Sequence, residues 1–338
     1  MRASSPQDLD NWLALTPPEP ILAPDLPIID PHHHLWDRGG HTYLAAALLA
    51  DLDCGHRIVA TGYVECLSGY RPDGPMELRP IGETDFVVET LHKPLSGAAG
   101  PIAAAAAIVG YADLTLGAGV EPVLAAHIAA APERFRGVRH ATAWHESEKL
   151  HGAYPTRAHM LNEPAVRDGI ATLGRMGLTF DVWTYFTQLD EVAAAADACP
   201  DTIFVLDHLG GVIGIGPYKD QRAEVFAAWS SALNDLAQRP NVRVKLGGLG
   251  MALAGFGFRK QPTPPGSRKL AAAWAPYIET AITAFGHDRA MFESNYPVDR
   301  VSGNYRTIWN AFKHIAASAN HTEKAALFYK TAAETYRI

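Results

Sequence analysis

Short apolar segments recur along the chain, and longer segments with mixed polarity separate them. Short, almost wholly apolar runs are typical of parallel strands buried on both faces, whereas apolar residues at every third or fourth position predict helices. We predict eight strands, at residues 28–30, 58–66, 104–111, 135–139, 178–182, 202–206, 242–246 and 290–293. Helices are predicted at residues 43–52, 83–95, 122–131, 164–176, 189–198, 222–237, 270–285, 305–317 and 322–335, the last with Thr322 as its N-cap.

This alternation of strand and helix favours an α/β fold, a somewhat distorted (β/α)8 TIM barrel that spans residues 27–338. Residues 1–26 are rich in Pro, Asp and Ser, and we interpret them as an N-terminal arm on the barrel surface. A doubly wound open sheet is the alternative fold. No Gly-x-Gly-x-x-Gly sequence follows the first strand, so a dinucleotide site has no support.

Composition narrows the class of protein. Hydrophobic residues make up 48% of the chain and charged residues 19%, and the net charge of −7 comes without a basic run, which argues against nucleic acid as a partner. No apolar run is long enough to cross a membrane, and the first residues lack the apolar core of a signal peptide. Three cysteines without CxxC spacing fit a reduced, cytoplasmic setting. We expect a cytoplasmic protein that acts on a small molecule, with association into a homo-oligomer left open.

Three consecutive histidines follow the first predicted strand. Along an extended chain His32 and His34 lie on one side and His33 on the other. Two imidazoles on one face of a strand end suit a metal ion or a proton-transfer site. A surface histidine cluster is the plainer explanation, but the run directly follows a core strand and is not at a terminus.

Polar residues also end other predicted strands. In a barrel these strand ends meet at one mouth, where barrel enzymes place their active sites. Each residue alone has a structural explanation, such as a cap or a satisfied interior charge. Because several strands place ionisable groups at the same end of the barrel, a functional site is the better explanation for the set. These residues are Glu65, Arg139, His140, Asp181, His208, Lys245, Glu293, Asn295 and Asp299.

The order and spacing of five segments resemble the amidohydrolase superfamily, in particular amidohydrolase family 2. The segments are residues 29–36 (Ile-Asp-Pro-His-His-His-Leu-Trp), 135–139 (Phe-Arg-Gly-Val-Arg), 206–210 (Leu-Asp-His-Leu-Gly), 244–249 (Val-Lys-Leu-Gly-Gly-Leu) and 291–297 (Met-Phe-Glu-Ser-Asn-Tyr-Pro). That group consists of predicted metal-dependent hydrolases with a TIM-barrel fold, and it includes sugar lactonases and pyrone dicarboxylate lactonase. The resemblance covers about residues 27–338 and implies the hydrolysis of a lactone or similar cyclic ester.

The chain departs from this family at the eighth strand. The usual pattern there is Phe-Gly-Ser-Asp-Trp-Pro, in which the Asp acts as general base and as a ligand where a metal is present. Asn295 stands at the Asp position, and an amide is a weaker base and a poorer ligand than a carboxylate. The resemblance therefore leaves both a site with one divalent metal, zinc or manganese, and a metal-free site open.

For lactone hydrolysis, a carboxylate (Glu65, Glu293 or Asp299) or a histidine would take a proton from water. His32, His34 and His208 would polarise the carbonyl, either directly or as ligands of the metal. Asn295 completes the predicted catalytic set. The predicted substrate-binding residues are Arg71, Arg139, His140, Trp144, His145, Tyr154, Asp181, Trp183, Lys245 and Tyr296.

Two other functions stay open on the sequence alone. One is non-oxidative decarboxylation of an aromatic or muconate-type acid on the same barrel, which would release carbon dioxide. The other is non-catalytic binding of a small molecule by a chain that has lost its base at Asn295.

Overall fold

Eight parallel strands form a nearly closed barrel in the computed structural model, which describes residues 6–338. The strands are β1 (Pro27–His33), β2 (Trp36–Arg38), β3 (His41–Tyr43), β4 (Arg57–Val64), β5 (Leu95–Gly97), β6 (Gly100–Gly110), β7 (Phe135–Arg139), β8 (Thr179–Val182), β9 (Phe204–Leu206), β10 (Val242–Leu246) and β11 (Ala290–Phe292). The barrel order is β1-β4-β6-β7-β8-β9-β10-β11.

Helices follow most barrel strands and lie outside them, as the sequence predicts. The helices are α1 (Pro6–Leu13), α2 (Ala45–Leu52), α3 (Ile81–Thr90), α4 (Glu121–Ala130), α5 (Pro164–Arg175), α6 (Leu189–Ala198), the single turn α7 (His208–Gly211), α8 (Arg222–Leu236), α9 (Ser267–Phe285), α10 (Tyr305–Ile315), α11 (His321–Ala325) and α12 (Thr331–Tyr336). A π-helical turn, Ala326–Lys330, joins α11 to α12. No helix within residues 6–338 combines the length and the apolar character that crossing a bilayer requires.

The seam between the first and last barrel strands is held by contacts just beyond their hydrogen-bonded ladders. His33 and Tyr296 form a parallel bridge, and the backbone N–H of His34 donates to the carbonyl of Tyr296 at 2.8 Å. The buried carboxylate of Asp30 accepts from the backbone N–H of Ser294 at 2.9 Å. The predicted barrel is therefore confirmed, and the open sheet is wrong.

The barrel interior has an apolar layer below a polar one. Ile29, Val64, Val205 and Met291 point inward and pack together with Tyr336 of α12, which closes the lower end. The Tyr336 hydroxyl donates to Asp181 at 2.5 Å, at the boundary between the two layers. Because side chains alternate along a strand, ionisable residues at the strand ends form the upper layer.

Two local predictions differ from the structure, and one element was not predicted. The helix predicted at 83–95 ends at Thr90, because Leu95–Gly97 pairs antiparallel with the start of β6. The last helix is capped by Asn320, not by Thr322, because the Asn320 side chain accepts from the backbone N–H of Glu323 at 3.0 Å. The hairpin of β2 and β3 directly after the histidines was not predicted.

The N-terminal arm lies against loops and helices of the barrel. The Trp12 indole donates to the carbonyl of Gln261 at 2.9 Å, and Asp10 pairs with Arg300 at 2.7 Å. Further along the arm, Lys313 of α10 donates to the carbonyl of Leu22 at 2.8 Å. Residues 1–5 of the predicted arm lie outside the described residues.

Candidate active site

A cavity of about 480 Å³ opens at the carboxyl ends of the barrel strands. We call it the catalytic cavity. Six of the predicted site residues line it, and they lie at the ends of five different strands or in the loops that follow them. They are His34, Arg139, Tyr154, Trp183, His208 and Asn295.

Glu293 holds two of the histidines. Its Oε1 accepts from His208 Nδ1 at 2.7 Å, and its Oε2 lies 2.8 Å from His32 Nδ1. Burial alone would raise the pKa of Glu293, but the charges of His208 and His32 outweigh this and bring it to about 2. An ionised carboxylate only accepts hydrogen bonds, so it keeps a proton on His208 Nδ1, and in the neutral ring Nε2 is then the acceptor.

His34 has its own fixed tautomer. Its Nδ1 lies 2.8 Å from the Val64 carbonyl, which only accepts, so Nδ1 carries the proton. Burial, followed by the charges of His32 and Arg139, lowers the pKa of His34 well below its ordinary value, so the ring is neutral at neutral pH. Its free Nε2 faces the cavity.

The amide of Asn295 presents its oxygen to His34. Asn295 Nδ2 donates to Asp299 Oδ1 at 2.8 Å, which orients the amide, and Asn295 Oδ1 lies 3.3 Å from His34 Nε2. Two acceptors therefore meet at one point of the cavity, a position suited to a water molecule, a substrate hydroxyl or a cation. Burial raises the pKa of Asp299 to about 7.

Below the cavity, a network of buried ion pairs engages several of the predicted residues. Arg139 Nε donates to Glu65 Oε1 at 2.7 Å and its Nη1 to Asp207 Oδ2 at 3.5 Å. Lys245 Nζ donates to Asp181 Oδ2 at 2.7 Å and to Asp207 Oδ1 at 3.0 Å. Burial would raise the pKa of Asp207, but the charges of Lys245 and His32 hold it well below its ordinary value. The positive charges of Arg139 and Lys245 are thus paired with buried carboxylates of the protein itself.

One cluster has the composition of a metal site. Ligand atoms of His32, Asp207 and His208 all lie within 4.8 Å of one another. His34 is outside this cluster, and its ring is turned by 81° from that of His32 at a centroid distance of 4.9 Å. Two imidazoles and a carboxylate are donors that a zinc-type ion accepts, and Glu293 orients both imidazoles from behind. The residues present therefore fit one divalent ion.

The structure places the other predicted residues away from the catalytic cavity. Tyr296 is fully buried and its ring packs on Tyr305, and His140 accepts from the backbone N–H of Leu114 at 3.1 Å. Arg71 is on the surface and pairs with Asp85 at 2.7 Å.

Two residues from the long loop after β7 contact the loops that follow β8 and β9. The backbone N–H of Trp144 donates to Gln188 Oε1 at 2.8 Å, and His145 Nε2 lies 3.2 Å from the Tyr218 hydroxyl. Neither is among the residues that line the catalytic cavity. Their assignment to substrate binding stays a prediction.

Several residues at this site were not predicted, among them one ligand candidate and two residues of the β2–β3 hairpin. Asp207 joins the ligand cluster, and Trp36 and Arg38 of the β2–β3 hairpin line the cavity. The Arg38 guanidinium lies 4.9 Å from the centre of the Trp36 ring. The position of Asp207 immediately before His208, at the end of a strand, was the available signal.

The match to known proteins agrees with this geometry. A family model described as amidohydrolase matches residues 29–338, which is nearly the whole barrel. The chain belongs to the amidohydrolase family. The resemblance seen in the five sequence segments is thereby confirmed, as is the fold that it implied.

This amidohydrolase is similar to two curated relatives and to one solved structure over most of its length. The uncharacterized protein y4mH of Sinorhizobium fredii is 33% identical over 336 residues, which cover 93% of this chain and 99% of that protein. An L-fucono-1,5-lactonase of Burkholderia multivorans is 29% identical over 235 residues, which cover 69% of this chain and 72% of that enzyme. An amidohydrolase from Burkholderia multivorans, solved with bound zinc, is 25% identical with a TM-score of 0.68, and the match covers 92% of this chain and 99% of that one.

Proposed function

We propose that this amidohydrolase hydrolyses lactones. Water adds to the lactone carbonyl carbon, the ring C–O bond breaks, and the products of that one step are a hydroxyl and a carboxylic acid on the same molecule. The observation that carries the proposal is that Glu293 holds His32 and His208 at the barrel mouth, with the ring of His34 packed against that of His32. The similarity to an L-fucono-1,5-lactonase supports lactones as the substrate class.

His34 and Asn295 hold the attacking water. Their acceptor atoms, Nε2 and Oδ1, lie 3.3 Å apart, so the two O–H groups of one water can be directed at them. His34 then takes the proton at Nε2, since its Nδ1–H is fixed on the Val64 carbonyl. Proton transfer to a positioned base contributes about two to four orders of magnitude in rate. Asp299 is a positioning residue, because it fixes the orientation of the Asn295 amide.

A divalent ion would be held by His32, Asp207 and His208. When bound, such an ion polarises a carbonyl and lowers the pKa of water. Several buried carboxylates lie in the network around these ligands. Its four buried carboxylates, from Glu65, Asp181, Asp207 and Glu293, face two permanent cations, from Arg139 and Lys245.

Aromatic side chains provide the walls for the lactone ring. Trp183 packs edge-on against His208 at a centroid distance of 5.0 Å, and the Tyr154 hydroxyl accepts from Arg139 at 3.0 Å. Together with Trp36 they surround the histidines with apolar surface, which excludes bulk water from the reacting carbonyl.

The test is the initial rate of acid release from a panel of sugar and carboxylated lactones, corrected for spontaneous hydrolysis. We expect enzyme-dependent turnover that falls at least a hundredfold in His32→Ala and His208→Ala, with both variants folded by circular dichroism. The control is His92→Ala, because His92 is an exposed histidine away from the site. Near-normal rates in both cluster variants would refute the site.

The same assay tests the two other functions. Product masses distinguish hydrolysis, which adds a water, from decarboxylation, which removes carbon dioxide. A non-catalytic protein would turn over no lactone, and Asn295→Asp would then create activity from none.

A further inference from the structure

A second cavity opens beside the catalytic cavity on the same face of the barrel. We call it the side cavity, and it lies between loops at residues 213–225, 250–260 and 301–302. Its volume is about 680 Å³, within the range of roughly 300–1,000 Å³ that small-molecule sites occupy. Met251 lines both cavities, so a single flexible side chain forms part of the wall between them.

Close backbone contacts build the wall of the side cavity. The backbone N–H of Gly214 donates to the carbonyl of Leu253 at 2.8 Å. Gly255 has a positive φ of 74°, and a Cβ atom there would lie 2.3 Å from the Gly214 carbonyl oxygen. Only glycine permits this approach, so the two loops are locked together and the cavity is a fixed part of the fold.

Positive charge is concentrated around the side cavity. Its lining includes four cations, Lys219, Arg222, Arg259 and Lys260, but one carboxylate, Asp220. The chain as a whole carries a net charge of −7, so this excess is opposite in sign to the rest of the molecule.

The best-positioned of these cations is Arg222. It donates to the Tyr277 hydroxyl and to the Ala254 carbonyl, both at 3.2 Å, and its guanidinium lies 4.3 Å from the centre of the Phe256 ring. These partners are neutral, so they orient the guanidinium without cancelling its charge. An oriented arginine with available charge suits a phosphate or a carboxylate.

The N-terminal arm supports another wall of the side cavity. The Arg259 guanidinium lies 5.0 Å from the centre of the Trp12 ring and donates to the carbonyl of Asp8 at 3.1 Å. The Trp12 indole in turn holds the carbonyl of Gln261. The arm thereby fixes the short segment that carries Arg259 and Lys260.

We propose that the side cavity binds an anionic group carried on the side chain of the lactone whose ring lies in the catalytic cavity. This inference rests on the proposed lactone hydrolysis. Met251 borders both cavities, so such a substrate would pass over this one flexible side chain, and Tyr218 and Phe258 offer apolar surface to the linking carbons. The substrate class is thus an anion-bearing sugar lactone, such as one phosphorylated on its side chain.

The test compares D-glucono-1,5-lactone with its 6-phosphate, which differ by one anionic group, after correction for spontaneous hydrolysis. We expect kcat/KM about tenfold or more higher for the phosphorylated lactone. In the double variant Lys219→Gln/Lys260→Gln this preference falls about tenfold, mainly through KM. The control Lys93→Gln/Lys330→Gln removes the same charge from exposed positions elsewhere and keeps the preference within twofold. Equal rates for both lactones in the wild type would overturn the proposal.

Calorimetry with inorganic phosphate separates this proposal from the proposed function. Phosphate binding that is lost in Lys219→Gln/Lys260→Gln, in a protein that hydrolyses neither lactone, would support the anion site and refute lactone hydrolysis. Hydrolysis of both lactones without preference, and without phosphate binding, would support the function and refute the anion site. Arg222→Gln, assayed in the same way, provides a second variant with the same expected loss.

Discussion

Replacing Glu293 by Gln changes one atom of the site and its charge. Glu293 accepts from His208 Nδ1 at 2.7 Å and lies 2.8 Å from His32 Nδ1. A glutamine at this position has one oxygen, and its NH₂ group would face an N–H of one imidazole. That ring must then take its other tautomer, which places a hydrogen on Nε2 and removes an acceptor from the catalytic cluster.

The structure gives the size of the effect. The pKa of Glu293 lies at about 2, against an ordinary value of 4.5, which corresponds to a preference of the folded protein for the charged form of about 3 kcal/mol. Because the amide keeps part of the hydrogen bonding, we expect a loss of about 1–3 kcal/mol in the free energy of unfolding. Turnover should fall at least a hundredfold.

The assay is kcat/KM for lactone hydrolysis, with urea unfolding measured on the same preparations. The matched control is Glu83→Gln, which makes the same substitution at another buried carboxylate near the catalytic cavity. Glu83 accepts from the Tyr63 hydroxyl and from the backbone N–H groups of Cys66 and Ser68, and it touches no imidazole of the cluster. We expect turnover within about fivefold of wild type there. A folded Glu293→Gln protein with near-normal turnover would refute the reasoning, as would equal losses in both variants.

Three further predictions follow from the same geometry. Elemental analysis of protein purified without added metal should find about one divalent ion, retained in His34→Gln and lost in His208→Gln; equal metal content in both variants would contradict the ligand set. Burial and the charge of Glu65 raise the pKa of Glu83 from 4.5 to about 7, so the stability from its protonated form is complete below pH 4.5 and lost as the pH rises through 7. Relative to Glu83→Gln, the wild type should therefore lose about 3 kcal/mol of unfolding free energy over this interval, and parallel urea-unfolding profiles would refute this. Asn295→Ala should lower turnover about tenfold or more by removing a water acceptor, whereas an unchanged rate would show that Asn295 holds no water.

The sequence predicted the barrel because short, mostly apolar segments alternate along the chain with longer segments of mixed polarity. The strands predicted at 135–139 and 242–246 have the same bounds in the structure. Errors fell where a neighbouring element decided the outcome, as at Leu95, which pairs with β6 and so cannot continue α3. The local sequence preference for helix or strand does not predict that pairing.

The sequence predicted which residue types form the candidate site, but not how deeply they are buried or which partners they contact. Arg139 ends β7 and Lys245 is the penultimate residue of β10, yet they lie among buried carboxylates that the sequence could not place beside them. His34 and His32 share a face, but only the geometry separates His34 from the ligand cluster. The side cavity was not predicted at all, because its walls come from three separate loop regions and from Tyr277 of α9.

The most direct test of the account is the mass of the product formed from L-fucono-1,5-lactone in oxygen-18 water. The account predicts an enzyme-dependent product that has gained one water, with the label in its carboxylate, at a rate at least a hundredfold lower in His208→Ala. The account is contradicted if the wild type forms this product no faster than the uncatalysed reaction, both with this lactone and across the lactone panel.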